Sequence, residues 1–189
     1  MKQVTDIDSG RAALCRDIDL YLHRHPEERT MAEQLRAFVE REPACFERAT
    51  REGHITGSAW VVDEEGTSTL LTHHRKLNRW LQLGGHADGN PHVWDVALME
   101  AREESGIDGC QLISTDIFDI DIHVIPARGD DPEHLHYDVR YCARAPHRDY
   151  AVSHESHDLA WVAIDCIDDY TTEESMLRMA RKWNELNNA

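Results

Sequence analysis

Gly84-Gly85-His86-Ala87-Asp88-Gly89-Asn90-Pro91-His92-Val93-Trp94-Asp95-Val96-Ala97-Leu98-Met99-Glu100-Ala101-Arg102-Glu103-Glu104-Ser105-Gly106-Ile107 is the stretch on which the reading of this chain turns. A Gly-rich turn leads into apolar residues at helical spacing. Asn90 suits an N-cap, Pro91 a first helical residue and Gly106 the position just past the last turn, so the residues predict a helix from about Pro91 to Ser105. At ~100° per residue with Val93 at zero, Ala97 and Ala101 lie near ~40° and ~80°, and Glu100, Glu103 and Glu104 near ~340°, ~280° and ~20°. The carboxylates overlap the apolar stripe and are drawn toward the interior or a cleft, where like charges three and four residues apart repel. Arg102, near ~180°, points away from them. A hard divalent cation with oxygen ligands, Mg²⁺ or Mn²⁺, is the economical counter-charge. The competing reading is a solvated acidic face whose cations come from elsewhere in the fold; the Gly-rich entry and the overlap with the core stripe favour the metal.

Upstream, apolar residues recur at spacings of three and four through residues 5–50, as at Ile18, Tyr21, Leu35, Phe38 and Val39, with Pro26 and Pro43 as punctuation. These predict helices. From Gly53 the grammar changes: residues 54–62 and 67–71 are β-like runs around Asp63-Glu64-Glu65-Gly66, which predicts a hairpin. A short strand near Leu81 to Leu83 precedes the Gly-rich turn. Downstream, the pattern predicts strands over roughly 111–125 and 135–144, a last strand from Leu159 to Ile164 and an amphipathic helix over 172–187. The order argues for an α/β (α+β) fold, a mixed β-sheet sandwiched between helices.

Composition narrows the partners. In 189 residues, 36 acidic side chains face 20 basic ones, a formal charge of −16 that repels nucleic-acid polymers and anionic membranes. A small phosphorylated substrate then needs local cations. Five scattered Cys without C-x-x-C spacing indicate neither a disulfide scaffold nor a Cys-rich zinc site. Charges in the first residues and the lack of a long apolar run lead to the expectation of a cytoplasmic protein.

The segment from Gly85 to Ile107 resembles the Nudix box, whose pattern is Gly, five residues, Glu, seven residues, Arg-Glu, an aliphatic, any residue, Glu-Glu, any residue, Gly and an aliphatic. Gly85, Glu100, Glu103, Glu104, Gly106 and Ile107 fall on the pattern, and Ala101 is small and apolar where an aliphatic is usual. Pro91 stands in place of the first Glu and Met99 in place of the Arg. The surrounding order of elements, over about 53–165, is also similar to the Nudix sandwich. The resemblance implies a Mg²⁺- or Mn²⁺-dependent hydrolase of a pyrophosphate linkage in a nucleoside diphosphate derivative. It implies metal ligation by Glu100, Glu103, Glu104 and the Gly85 carbonyl, with Glu103 and Glu104 catalytic. Because the family Arg orients box carboxylates, Met99 leaves that task to another cation or leaves the carboxylates to rely on the metal alone. Residues 1–50 lie outside the usual Nudix core and are taken as an N-terminal helical extension to a domain of residues 51–189. Capping, homodimerisation and closure over substrate are all open roles for it.

Family members often add a carboxylate before a late strand, a role that Glu155 would fill as ligand or base; a solvated loop Glu is the other reading. His73-His74-Arg75-Lys76-Leu77-Asn78-Arg79-Trp80 is the basic cluster beside the box, and Arg75, Lys76 and Arg79 are candidate phosphate-steering residues, or else a solvated turn. Trp80 could stack a base or simply pack. His86 and His136 are candidate substrate contacts.

Alternation of Asp119, Asp121 and His123 on one strand and of His134, His136, Asp138 and Arg140 on the next predicts a shared polar face. With the turn near Gly129, His123 faces His136 and Asp121 faces Asp138. The facing Asp pair repels. Either the register differs, or Arg140 and a ligand compensate, or these four groups hold a second metal, or the strands form a polar pocket wall or subunit surface. Two function classes follow. One is the hydrolase, favoured by the complete Glu trio; the other is a non-catalytic Nudix-like domain that binds a nucleotide or phosphate metabolite, favoured by Met99 and Pro91.

Overall fold

Strand β1 (Gly53–Val62) is buried along its whole length, as expected of a central strand with neighbours on both edges and layers on both faces. One edge pairs in parallel with β7 (His134–Arg144), from Gly53↔Leu135 to Val62↔Arg144. The other edge pairs antiparallel with β4 (Leu83–His86) and meets β2 (Ser68–His74) only at Val62↔Thr69. The expected hairpin over 53–71 therefore shrinks to its mouth. Asp63 shapes that turn, its Oδ1 accepting the Thr67 and Ser68 N–H groups at 2.8 and 3.1 Å. Beyond it β2 departs to pair with β3 (Arg79–Leu81) and β8 (Ser156–Ala163). The computed structural model describes residues 2–75, 77–129, 131–153 and 156–187.

The strand expected over 111–125 is two strands. β5 (Gln111–Leu112) and β6 (Asp119–Ile125) both pair antiparallel with β7. Between them Ser114 Oγ accepts the Asp116 N–H, a local turn that interrupts the extended run. Among the described residues, eight strands form one mixed sheet.

Side chains alternate across that sheet. On one face Ile55, Ala59 and Val61 join Tyr137, Val139, Tyr141 and Ile120 beneath α1 (Lys2–Arg24), α2 (Arg29–Arg41) and α3 (Val93–Ser105). The N-terminal helices thus share a core with the sheet: Phe38 of α2 stacks on Tyr137 of β7 with ring centroids 3.9 Å apart. On the other face Trp60, Val62 and Cys142 pack with Met176, Met179 and Trp183 of α4 (Glu174–Asn187). The architecture is the expected mixed sheet between helices.

Helix α3 lies close on β1 because Gly57 has no side chain; a Cβ there would stand 2.8 Å from the Val93 carbonyl oxygen. The helix begins two residues later than the sequence suggested. Asn90 Oδ1 accepts the His92 N–H at 3.0 Å and its Nδ2 donates to Asp95, so Asn90 closes a turn ahead of the helix and His92 occupies the N-cap. Its other end is as expected, with Gly106 left-handed at φ 66°.

Candidate functional site

The close packing of α3 on the sheet brings Glu100 and Glu104 onto the Gly84–Gly85 backbone. Glu104, 6% exposed, accepts the Gly84 N–H on Oε2 at 3.1 Å. Glu100 lies against Gly85 so closely that a Cβ at Gly85 would fall 2.3 Å from its Oε1. Glu103 projects into solvent. The helical angles account for this split, since Glu104 and Glu100 fall within the buried stripe and Glu103 lies just beyond its edge.

Full convergence of the three carboxylates is not observed: among the described residues, the groups with ligand atoms all within 4.8 Å of one another are His54–His86–His136 and His25–Glu27–Glu28. Arg102 points away as expected and donates to the Cys110 carbonyl oxygen. Met99, where the box pattern has Arg, is 42% exposed. A backbone amide, that of Gly84, orients Glu104 without it.

The donor set suits a hard cation. Carboxylate and backbone carbonyl oxygens favour Mg²⁺ or Mn²⁺ over softer ions, and the missing side chain at Gly85 leaves room for the Glu100 carboxylate beside the main chain.

The basic run is tied into the fold at two points. Arg75 donates to the Ser156 carbonyl oxygen at 3.0 Å, and Arg79 pairs with Glu173 at 2.5 Å just ahead of α4. Lys76 and Glu155 lie outside the described residues. Trp80 packs, stacked on His73 with centroids 5.0 Å apart and edge-on to Tyr170.

The polar face has the expected register, with Asp121 opposite Asp138 and His123 opposite His136. Of the readings open at that point, compensation by Arg140 holds. Buried Arg140 donates to Asp138 at 2.7 Å and to Asp119 at 3.1 Å, and its remaining nitrogen lies 3.4 Å from Asp121. Helix α4 adds Arg178, which grips Asp119 through two 2.8 Å bonds, and Lys182, which reaches Asp119, Glu28 and the Tyr21 hydroxyl. Thr56, Ser58 and Gln82 donate to Asp138. The sequence did not indicate Gln82, Arg178 and Lys182, because their contacts depend on tertiary packing.

Burial would raise the Asp121 carboxyl, but the His123 hydrogen bond and Arg140 override it and hold it at about 2. The same contest at Asp119, won by Arg178, Arg140 and Lys182, leaves it below the ordinary range.

At the other end of this face, five imidazoles gather. His54 and His136 are register partners on β1 and β7, and His86 closes β4 opposite Thr56. Ring centroids of His54, His86 and His136 are 4.9 to 5.0 Å apart, with His134 and His123 within 5.5 Å of His136. Burial, reinforced by neighbouring imidazoles, lowers His54 to about 4 and His136 to about 2, so both are neutral near pH 7. The sequence indicated His86 and His136 but not His54, whose place depends on the parallel β1–β7 pairing.

No family profile and no curated protein matches the chain by sequence. Solved structures match it by fold. An Ap4A hydrolase from C. elegans, solved as a binary complex, is 18% identical with a TM-score of 0.57, covering 71% of this chain and 97% of its own. The MutT protein from Methanosarcina mazei Go1 is 17% identical with a TM-score of 0.58, covering 74% of this chain and 99% of its own. A UDP-X diphosphatase is 15% identical with a TM-score of 0.50, and its match extends over 97% of this chain and 96% of its own.

Proposed function

We propose that this chain, which has the Nudix fold, is a Mg²⁺- or Mn²⁺-dependent hydrolase of a pyrophosphate linkage in a nucleoside diphosphate derivative. The observation that carries the reading is the seating of Glu100 and Glu104 on the Gly84–Gly85 backbone. The sequence resemblance and the oxygen donor set support it. Glu100, Glu103, Glu104 and the Gly85 carbonyl would hold the ions. When bound, such ions neutralise charge on phosphate oxygens and lower the pKa of water.

The chain's own residues have separable tasks. Gly84 N–H fixes the orientation of Glu104, so this carboxylate enters the site ordered. Glu103, exposed on the same helix, is free to turn toward a ligand. Arg75, Lys76 and Arg79 raise the local concentration of anionic substrate against a net charge of −16. Glu155 is the candidate base. The N-terminal helices act as an extension of the domain, and their stacking on β7 through Phe38 and Tyr137 favours a capping role.

The second reading, a binding domain without turnover, is favoured by Met99, which supplies no charge to the carboxylates. One experiment separates the two. Nucleoside di- and triphosphates, nucleotide sugars and dinucleoside polyphosphates are assayed with Mg²⁺ and with Mn²⁺, alongside Glu104→Gln. The hydrolase reading expects turnover that falls by about 100-fold or more in the variant, equal to roughly 2.7 kcal/mol or more of transition-state stabilisation. Binding without turnover, unchanged in Glu104→Gln, would establish the binding domain instead.

A further inference from the structure

The histidine cluster contains polar atoms that the protein itself leaves unserved. His54 is 2% exposed, and among the described residues neither of its ring nitrogens has a hydrogen-bond partner; the His136 Nε2 is likewise buried and unpartnered there. The Thr50 backbone approaches the His54 ring without completing a hydrogen bond. Buried polar atoms are ordinarily satisfied, and an unsatisfied set calls for a reason. Here the unsatisfied atoms belong to a group of three imidazoles whose ligand atoms lie within 4.8 Å of one another.

We propose that His54, His86 and His136 form a nitrogen-donor site for a late first-row divalent ion, Zn²⁺ foremost, distinct from the oxygen site on the α3 side of Gly85. Three features carry the proposal. The sites on β1, β4 and β7 are fixed by strand pairing, so the ligands sit on rigid elements rather than on a loop. Imidazole selects Zn²⁺ and its neighbours, whereas Mg²⁺ requires oxygen, so the ion expected here differs from that expected at the carboxylates. Three protein ligands with an open fourth position are a recurrent zinc arrangement. Around them, His134 and His123 have their Nδ1 atoms directed at the Pro132 carbonyl and the Asp121 carboxylate. Acceptors of that kind place the proton on Nδ1 and leave the Nε2 lone pair available.

One group opposes the ion. Arg48 NH2 stands 2.7 Å from His86 Nδ1 and must yield if that nitrogen is to ligate. It is mostly exposed and also pairs with Asp88, so it can turn outward while keeping an anionic partner.

The test uses Co²⁺ as a spectroscopic probe and Zn²⁺ as its competitor on the full chain. The wild type is expected to take up one equivalent of Co²⁺ with the strong visible absorption of low-coordinate nitrogen ligation, lost on adding Zn²⁺. His54→Leu and His136→Leu should abolish the band and weaken Zn²⁺ binding by more than the roughly 10–100-fold typical of outer-shell changes. The triple variant Glu100→Gln, Glu103→Gln and Glu104→Gln should keep the band, which separates this site from the hydrolytic one whether or not the chain is a hydrolase. Because His54→Leu removes unpaired buried atoms, its metal-free melting temperature should hold or rise, and Zn²⁺ should raise the melting temperature of the wild type but not of His54→Leu. No band in the wild type, a band that survives in His54→Leu, or a band lost in the triple Gln variant would each overturn the proposal.

Discussion

Asp121 lies directly opposite Asp138 across β6 and β7, and the Arg140 guanidinium bridges them, 2.7 Å from Asp138 and 3.4 Å from Asp121. Two facing carboxylates in a sheet are unfavourable by themselves. Here they form one side of a buried network in which Asp119, Asp121, Asp138 and Glu28 meet Arg140, Arg178 and Lys182.

Removing the central cation should therefore be costly. Arg140→Met leaves buried carboxylates uncompensated, and breaking such a pair typically costs about 3–5 kcal/mol. Urea unfolding should show a loss of that size, while Arg29→Ala, at a solvent-exposed pair with Glu33, should change stability by about 1 kcal/mol or less. A loss at Arg140 no larger than at Arg29 would mean that the network relaxes and admits water.

Acid should act on the same network with a defined sign. Asp121 titrates at about 2 in the folded chain against an ordinary value of 3.8. Between those values the unfolded chain binds the proton and the folded chain does not, so stability falls as pH drops through this window. The contribution is complete above the unfolded value. Asp121→Asn should flatten that part of the stability curve, as measured by urea midpoints at stepped pH, and leave the slope between pH 5 and 7 unchanged.

The adjacent glycines of the turn should fail in different ways. A Cβ at Gly84 would meet the Ser58 side chain at 2.2 Å and its Cα at 2.7 Å, within the central strand. Gly84→Ala should accordingly lower the melting temperature. At Gly85 the obstacle is the Glu100 carboxylate, the far end of a flexible side chain, which can swing away. Gly85→Ala should thus keep most of its stability but weaken Mn²⁺ binding, measured by titration calorimetry, by displacing a proposed ligand. Unchanged Mn²⁺ affinity in Gly85→Ala would argue against a ligand role for Glu100.

Legibility of the sequence followed the range of the interactions involved. Helical spacing located α3 and the alternation in residues 119–140 supplied the register of β6 on β7, because both are local periodicities. The start of α3 was misplaced because Asn90 and Pro91 are good capping residues that here serve the preceding turn. The histidine site was only half legible: His86 and His136 stood out in motifs, but His54 joins them through a parallel pairing of segments some eighty residues apart. Arg178 and Lys182 are ordinary helix cations in the sequence, and only the docking of α4 turns them toward Asp119.

Arg79 is held by Glu173, 62% and 41% exposed respectively, and a pair this open contributes little to stability. Its electrostatic reach toward an anion is nevertheless reduced by the partner. If Arg75 and Arg79 draw in anionic substrate, Arg75→Ala with Arg79→Ala should raise KM several-fold at low salt and much less at about 0.5 M salt, where the screening length is only a few ångströms. Glu173→Gln should do the opposite, lowering KM at low salt because it unmasks Arg79. A strut between the β2–β3 turn and the start of α4 would behave otherwise. In that case Arg79→Ala and Glu173→Gln would lower the melting temperature alike and leave KM unchanged at both salt concentrations.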